Sequence, residues 1–301
     1  MAEYKTQHYV PQGYQAAWTD PETPARQEPY VWVFPKGGGT PKRKAPQNLF
    51  AETDLYTRPT SDGSRDVRIE KKLGVLDSDF TSLRREVLDV RGVITDEVRY
   101  KLSLFAAALS ARVVKQRDHH REQWQRVADM SDLVTTGAIE AIERGEYSPG
   151  PFSDWTADDF ARAGMDRVEI DPETMRVMIA QPMPVILNGS INGLMPFLLD
   201  MRLTILCTEH DIGFVSSDAP CVLYDPMHRR FMGMASPTVE VSLPLSPQQA
   251  AVWTYVPSAT YQEVPHAMAR AINWRTRIRA YHAFIARRQA LDPAWVGLPD
   301  V

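Results

Sequence analysis

Hydrophobic and polar positions change period twice along the chain. Over 66–90, Ile69, Leu73, Leu76 and Phe80 recur at helical spacing and the series continues to Leu83 and Val87, which predicts a helix. A longer helix is predicted over 95–128, with Leu102, Ala106, Leu109, Val113 and His120 near one face. A third, over 131–145, ends at Gly145. Beyond residue 200 the apolar runs shorten to 203–207, 213–216, 221–224, 239–243 and 250–256, separated by turn-forming residues, as in an antiparallel meander. The helical period returns over 264–288, where Ala267, Ala271, Trp274, Ile278, Tyr281 and Ile285 form an amphipathic stripe.

The first 60 residues carry proline too often for a long helix. Within them, 30–34 (Tyr-Val-Trp-Val-Phe) reads as a strand and the following Pro-Lys-Gly-Gly-Gly-Thr-Pro-Lys-Arg-Lys as a mobile turn or loop. The stretch 150–183 is mixed and rich in Asp and Pro, and the tail from Leu291 is expected to wrap the surface. Helices, then strands, then a helix, without β–α alternation, predict an α+β fold: an antiparallel sheet of about five or six strands packed against several helices. The expected organisation is one domain over 1–301, with an irregular segment 1–60 packed on the body, a mainly helical part 61–150, a strand-rich part 200–256 and a C-terminal helix 264–288.

Apolar residues at 44% and charged residues at 24% are ordinary for a globular chain, and 301 residues can bury a core without covalent staples. A net charge of −4 argues against a broadly basic nucleic-acid binder. Cys207 and Cys221 are too few for a disulfide framework and wrongly spaced for zinc, and read as two buried thiols in a reducing compartment. No apolar run approaches the roughly 18 residues of a membrane span, and the first ten residues lack the apolar core of a signal peptide. The expectation is a cytoplasmic protein with no membrane partner. Dinucleotide and P-loop glycine patterns, HExxH and GxSxG are all missing from the sequence.

Several polar residues could carry chemistry. His8 titrates near neutrality and suits a base, acid or ligand, although nothing adjacent completes a site. Arg112, Gln116, His119 and Gln123 step along one edge of the long helix, as anion-facing donors or as a solvated face. Asp218, in Ser216-Ser217-Asp218-Ala219-Pro220, is presented at a strand end, as a base or metal ligand or as a turn residue capping backbone N–H groups. Glu209-His210-Asp211 reads as a hairpin turn, and 242–247 as a strand stopped by two prolines. Arg270, Arg277 and Arg288, with Asn273 close by, form a basic strip, as do Lys36, Lys42, Arg43 and Lys44; both are expected to be solvated.

Taken in order, these landmarks resemble a large bacterial family catalogued as a domain of unknown function, family 4238. The resemblance runs through His8-Tyr9-Val10-Pro11-Gln12, the segment 48–56, Ile69-Glu70, Arg112, Phe214-x-x-Ser217-Asp218-x-Pro220, Pro244-Leu245-Ser246-Pro247 and Asn273. It departs at Gly13, where relatives carry a bulky residue, and over 130–180, which reads as an insertion. The resemblance implies a single body, raises the weight of His8, Glu70, Arg112, Asp218 and Asn273, and brings no reaction with it.

Two functional expectations follow. The first is a hydrolase or nuclease acting on a phosphate-containing substrate, with His8 as base or ligand, Glu70 and Asp218 holding a divalent metal or orienting water, and Arg112 stabilising negative charge. A bacterial defence or toxin effector is the setting the family type suggests for it. The second is a non-catalytic binding or partner protein, in which the same residues form a satisfied structural network.

Overall fold

The computed structural model of the chain describes residues 5–60, 62–146, 154, 156–163, 171–227 and 233–297. Residues group into two compact units, Met1–Gln116 with Met183–Val301, and Arg117–Pro182. In the first, the N-terminal segment supplies β1 (Thr6–His8), α1 (Gln12–Gln15), β2 (Val31–Pro35), β3 (Lys42–Lys44), β4 (Ala51–Thr53) and the pair β5 (Arg58–Pro59) and β6 (Arg65–Asp66). The helices α2 (Arg68–Leu83) and α3 (Asp96–Ala111) follow. Most of α4 (Val114–Glu143) lies in the second unit, with α5 (Ala157–Arg162) and α6 (Pro172–Ala180). The first unit resumes with α7 (Met183–Asp200), β7 (Arg202–Cys207), β8 (Ser216–Ser217), β9 (Val222–Tyr224), β10 (Glu240–Ser246), β11 (Gln249–Thr254) and β12 (Tyr261–Glu263). It closes with α8 (His266–Arg279), β13 (Ala283–Ala286) and α9 (Pro293–Val296).

The fold is α+β. A five-stranded sheet has the order β12-β7-β11-β10-β9, antiparallel except where β12 runs parallel to β7. Its apolar runs are nearly continuous because both faces are covered, and the two-residue alternation of a strand divides them between separate cores. Ile205, Leu243, Ala251 and Trp253 pack into the main core with α3 and α7, while Leu206, Ala250 and Val252 face Ala269 and Ile272 of α8 and Trp295. The Trp253 Nε1 donates to Ser103 Oγ of α3 at 3.1 Å, so the indole's one polar group is satisfied in that core.

A second, four-stranded antiparallel sheet has the order β3-β2-β13-β8. The N-terminal segment is bound to the body by buried polar groups. Tyr14 Oη lies 2.8 Å from Ser216 Oγ and donates to the Pro244 carbonyl at 2.6 Å. Trp18 Nε1 donates to the Phe214 carbonyl at 2.7 Å, and the Gln7 side chain bridges Thr57 Oγ1 and the Tyr56 N–H. Tyr14 packs with Phe80 and Phe105, whose rings stack at 3.8 Å.

Several elements differ from the expectation. The 95–128 helix breaks at Arg112–Val113, and the 131–145 helix is the continuation of α4. Residues 213–215 are not strand; Ser216 and Ser217 pair with β13 in the smaller sheet rather than joining the meander. Pro244 sits inside β10, beyond the last β9 pair at Ser242 and beside a bulge, where no partner needs its missing N–H. The stretch after the three glycines returns as β3, and Lys36 Nζ caps the Ile278 and Ala280 carbonyls at the end of α8. That helix stops at Arg279, not 288, and Ile285 lies in β13. Cys207 and Cys221 are free thiols. Of the mixed stretch 150–183, residues 150–153, 155 and 164–170 lie outside the described residues, as does the tail beyond 297.

Candidate functional site

α2 begins just after the β5–β6 hairpin, and its first turn carries Glu70. A helix repeats its faces every seven residues, so Asp77 lies on the side of Glu70, followed by Ser78 and Thr81. α1 crosses this face at close range. A Cβ on Gly13 would stand 2.6 Å from Thr81 Oγ1, so glycine is what lets the two helices approach here. His8, at the end of β1, arrives beside them because β1 is held in register with β4, His8 opposite Ala51. The result is a cleft of about 410 Å³ lined by His8, Gln12, Glu70, Asp77, Ser78 and Thr81, among others.

Arg112 reaches the same place from behind. The break between α3 and α4 gives it the helix-terminal conformation φ −92°, ψ −2°, which takes it off the predicted row with Gln116, His119 and Gln123. Its side chain is fully buried, and its two terminal nitrogens donate to the two carboxylate oxygens of Asp77 at 3.1 and 2.7 Å. Burial works against this guanidinium's charge, but Asp77 outweighs it and the pKa is raised. Tyr56 Oη donates to the Arg112 carbonyl at 3.0 Å, and burial pushes the phenol well above its usual range.

The electrostatics set the two remaining groups apart. Burial pushes the Glu70 carboxyl up to about 7; Arg112 pulls against this and the Asp77 charge adds to it. Burial also lowers the His8 pKa, against the backbone at Gln47 and Pro46 and the Asp77 charge, while Arg112 lowers it further. Near neutral pH the cleft therefore pairs a neutral imidazole with a carboxyl poised between its two forms. Among the described residues His8 Nε2 has no hydrogen-bond partner, and it is closed to solvent, a buried polar atom left over by the fold.

Three of the five residues singled out from sequence, His8, Glu70 and Arg112, thus meet at one place. Arg112 does so as the partner of Asp77, not as a free cation. Asp218 and Asn273 do not join them. Both oxygens of the buried Asp218 carboxylate are engaged by the backbone N–H groups of Tyr281, His282 and Ala283 at 2.7, 2.5 and 3.1 Å. Asn273 Oδ1 accepts from the Val215 N–H at 2.9 Å and its Nδ2 donates to the Gly213 carbonyl at 3.0 Å. These two brace the chain where α8 ends and where β8 begins.

The idea that Asp218 and Glu70 share a divalent metal is not met by this geometry, because the Asp218 lone pairs face backbone donors. Among the described residues no group of three or more His, Cys, Asp or Glu is placed to hold a metal ion. The basic strip is likewise dispersed: Arg277 donates to the Val296 carbonyl, and Arg288 pairs with Glu22 and Asp211. Asp77 went unrecognised in the sequence. The seven-residue step from Glu70 was its one signal, on the flank of a stripe read for its apolar positions.

Among the described residues no single helix is long and apolar enough to cross a membrane. No curated protein and no solved structure matches the chain. A family model described as a protein of unknown function, DUF4238, matches residues 6–290.

Proposed function

We propose, for a chain that belongs to the DUF4238 family of proteins of unknown function, that the cleft between α1 and α2 is a hydrolytic acid–base site. One observation carries the reading: residues 8, 70 and 77 line one open cleft, backed by Arg112 on Asp77, where an imidazole whose buried Nε2 has no partner among the described residues stands with a carboxyl pushed up to about 7. His8 is the base, made available when substrate binding opens Nε2 to the cleft, since catalytic hydrogen bonds tighten in the complex. Glu70, partly protonated at neutral pH, is the acid that protonates the leaving group. The Arg112–Asp77 pair positions them and fixes the local field, as a buried guanidinium–carboxylate fork does.

The charge of the lining narrows the substrate. Glu70 and Asp77 are carboxylates, and Arg112 is committed to Asp77. A phosphodiester would meet no free arginine or lysine among the residues lining this cleft, so a nuclease would have to open the buried pair. A neutral ester or amide fits the arrangement as it stands. The second reading, a structural network without catalysis, draws on that same buried ion pair.

The test incubates purified protein with chromogenic esters and amides, and with RNA and DNA, from about pH 5 to about pH 9, alongside His8→Ala and Glu70→Gln. The expected result is turnover of an ester or amide that falls by about 10²–10⁴-fold in each variant, with the unfolding transition retained. No turnover of any class by folded protein, with a large loss of stability in both variants, establishes the network reading instead.

A further inference from the structure

α2 does not end cleanly. Leu83 passes into one turn of π-helix, Arg84–Leu88, a widened turn that often marks a functional position in helices. Arg91, three residues on, takes a left-handed conformation with φ 53°. This irregular backbone brings Arg84 and Arg91 to one cavity of about 460 Å³, whose far wall is the β10–β11 turn with Ser246 and Gln249. A cavity of this size accommodates a small molecule.

The polar groups around it are unequally satisfied. Arg84, half-buried, has one protein acceptor among the described residues, the Gly13 carbonyl at the limiting distance of 3.5 Å. A guanidinium carries five N–H donors, so most of its capacity is unmet. Asp89 also lines the cavity and acts on Arg84 through its charge, but makes no ion pair with it among the described residues. Arg91 pairs with Glu263 at 2.5 Å, both half-exposed, an arrangement that costs little to reorganise. Ser246 Oγ accepts from the Gln248 N–H at 3.2 Å, leaving its own proton free for an acceptor. Gln249 is anchored through Nε2 to the Leu88 carbonyl at 2.7 Å, which ties the π-turn to the sheet, while its buried Oε1 has no partner among the described residues.

We infer that this cavity is a binding site for a small oxyanion, a carboxylate or phosphate group received by Arg84 with Arg91 and the Ser246 hydroxyl. A planar fork with unmet donors, a second guanidinium and a free hydroxyl are the partners such a group takes. The inference does not depend on the His8 cleft, because binding is read without turnover.

Isothermal titration with inorganic phosphate and, separately, acetate and citrate tests it on the full chain at low salt, against Arg84→Gln, Arg91→Gln and Arg85→Gln. Arg85 is the control, an exposed neighbour paired with Glu86. Saturable one-to-one binding of phosphate or of a carboxylate is expected, and whichever binds identifies the anion. Affinity falls by about tenfold or more in Arg84→Gln and by less in Arg91→Gln, and is unchanged in Arg85→Gln. If Arg84→Gln does not fold, Arg84→Lys, which keeps the charge but loses the fork, is expected to weaken binding in its place. No saturable binding up to roughly 10 mM of any of the three, or equal weakening by the Arg85 control, overturns the proposal.

Discussion

At the scale of single residues the central feature is a pair of opposed carboxyl environments seven residues apart. Asp77 faces a buried guanidinium, and Glu70 faces burial with no hydrogen-bond donor to it among the described residues. Removing Asp77 leaves the fully buried Arg112 guanidinium unpaired, and removing Arg112 leaves a partly buried carboxylate in the cleft wall. Asp77→Leu is therefore expected to lower stability by about 3–5 kcal/mol in urea unfolding, and Arg112→Met with Asp77→Leu by clearly less than the sum of the two single changes. Glu70 carries a linkage signature of the opposite kind. Its folded pKa, about 7, lies above the ordinary 4.5, so the folded chain holds a proton that the unfolded chain has released. The stabilising term is full below 4.5 and is lost as the pH rises through about 7, where the ionised carboxylate opposes the fold. Glu70→Gln should thus gain on the parent by of order 1 kcal/mol between about pH 5 and about pH 8, allowing for partial solvent screening. An unchanged difference across that range in thermal or urea unfolding would contradict it.

At the scale of elements, what ends a helix decides much of this fold. The apolar stripe over 264–288 continues in sequence past Arg279, yet Ala280 is extended and the next three N–H groups turn to Asp218, which is more than sixty residues away in sequence. The Ser-Ser-Asp-Ala-Pro turn offers Asp218 as a cap for backbone N–H groups, but nothing local says that the captured groups lie at the end of α8, so the helical period reads on to 288. Asp218→Ala leaves three backbone donors without their acceptor at a buried position, and is expected to cost about 2–4 kcal/mol, read as a lower urea midpoint at unchanged slope. The α3–α4 break is similar: the apolar series runs through Arg112, and what interrupts it is the demand of Asp77 on α2. Gly213 reads in sequence as the start of a strand over 213–216. Its φ of +66° and a Cβ position 1.9 Å from the Pro247 carbonyl oxygen show that it joins the Phe214 and Pro244 motifs at contact distance. By contrast α2 and strands β2, β7 and β11 were readable, because each has a clean local period and sits where packing agrees with it.

At the scale of the molecule, the family's ordered motifs divide by task. Those at Phe214–Asp218, Pro244–Pro247 and Asn273 lock the smaller sheet, the β10–β11 turn and α8 together through Tyr14, Trp18 and Trp295. His8 and Glu70 line the cleft, and Arg112 meets its wall from behind through Asp77. Sequence order could not separate the sets, since both are polar residues flanked by apolar ones. Their separation rests on long-range pairing, with β2 completed by β13 and Tyr14 by Ser216. A fragment of residues 1–116 therefore lacks the partners of its own strand and core, and is expected to show no cooperative unfolding transition by circular dichroism. The chemistry assigned to the cleft depends on the ionisation of two side chains, His8 and Glu70, which NMR reads directly. Titration of the folded chain, labelled at glutamate carboxyl and histidine ring carbons and assigned with Glu70→Gln and His8→Ala, is predicted to show Glu70 with a midpoint near 7 and His8 below 6.5. Glu70 titrating near 4.5 with His8 at or above 6.5 would mean that the cleft holds neither the acid nor the base assigned to it.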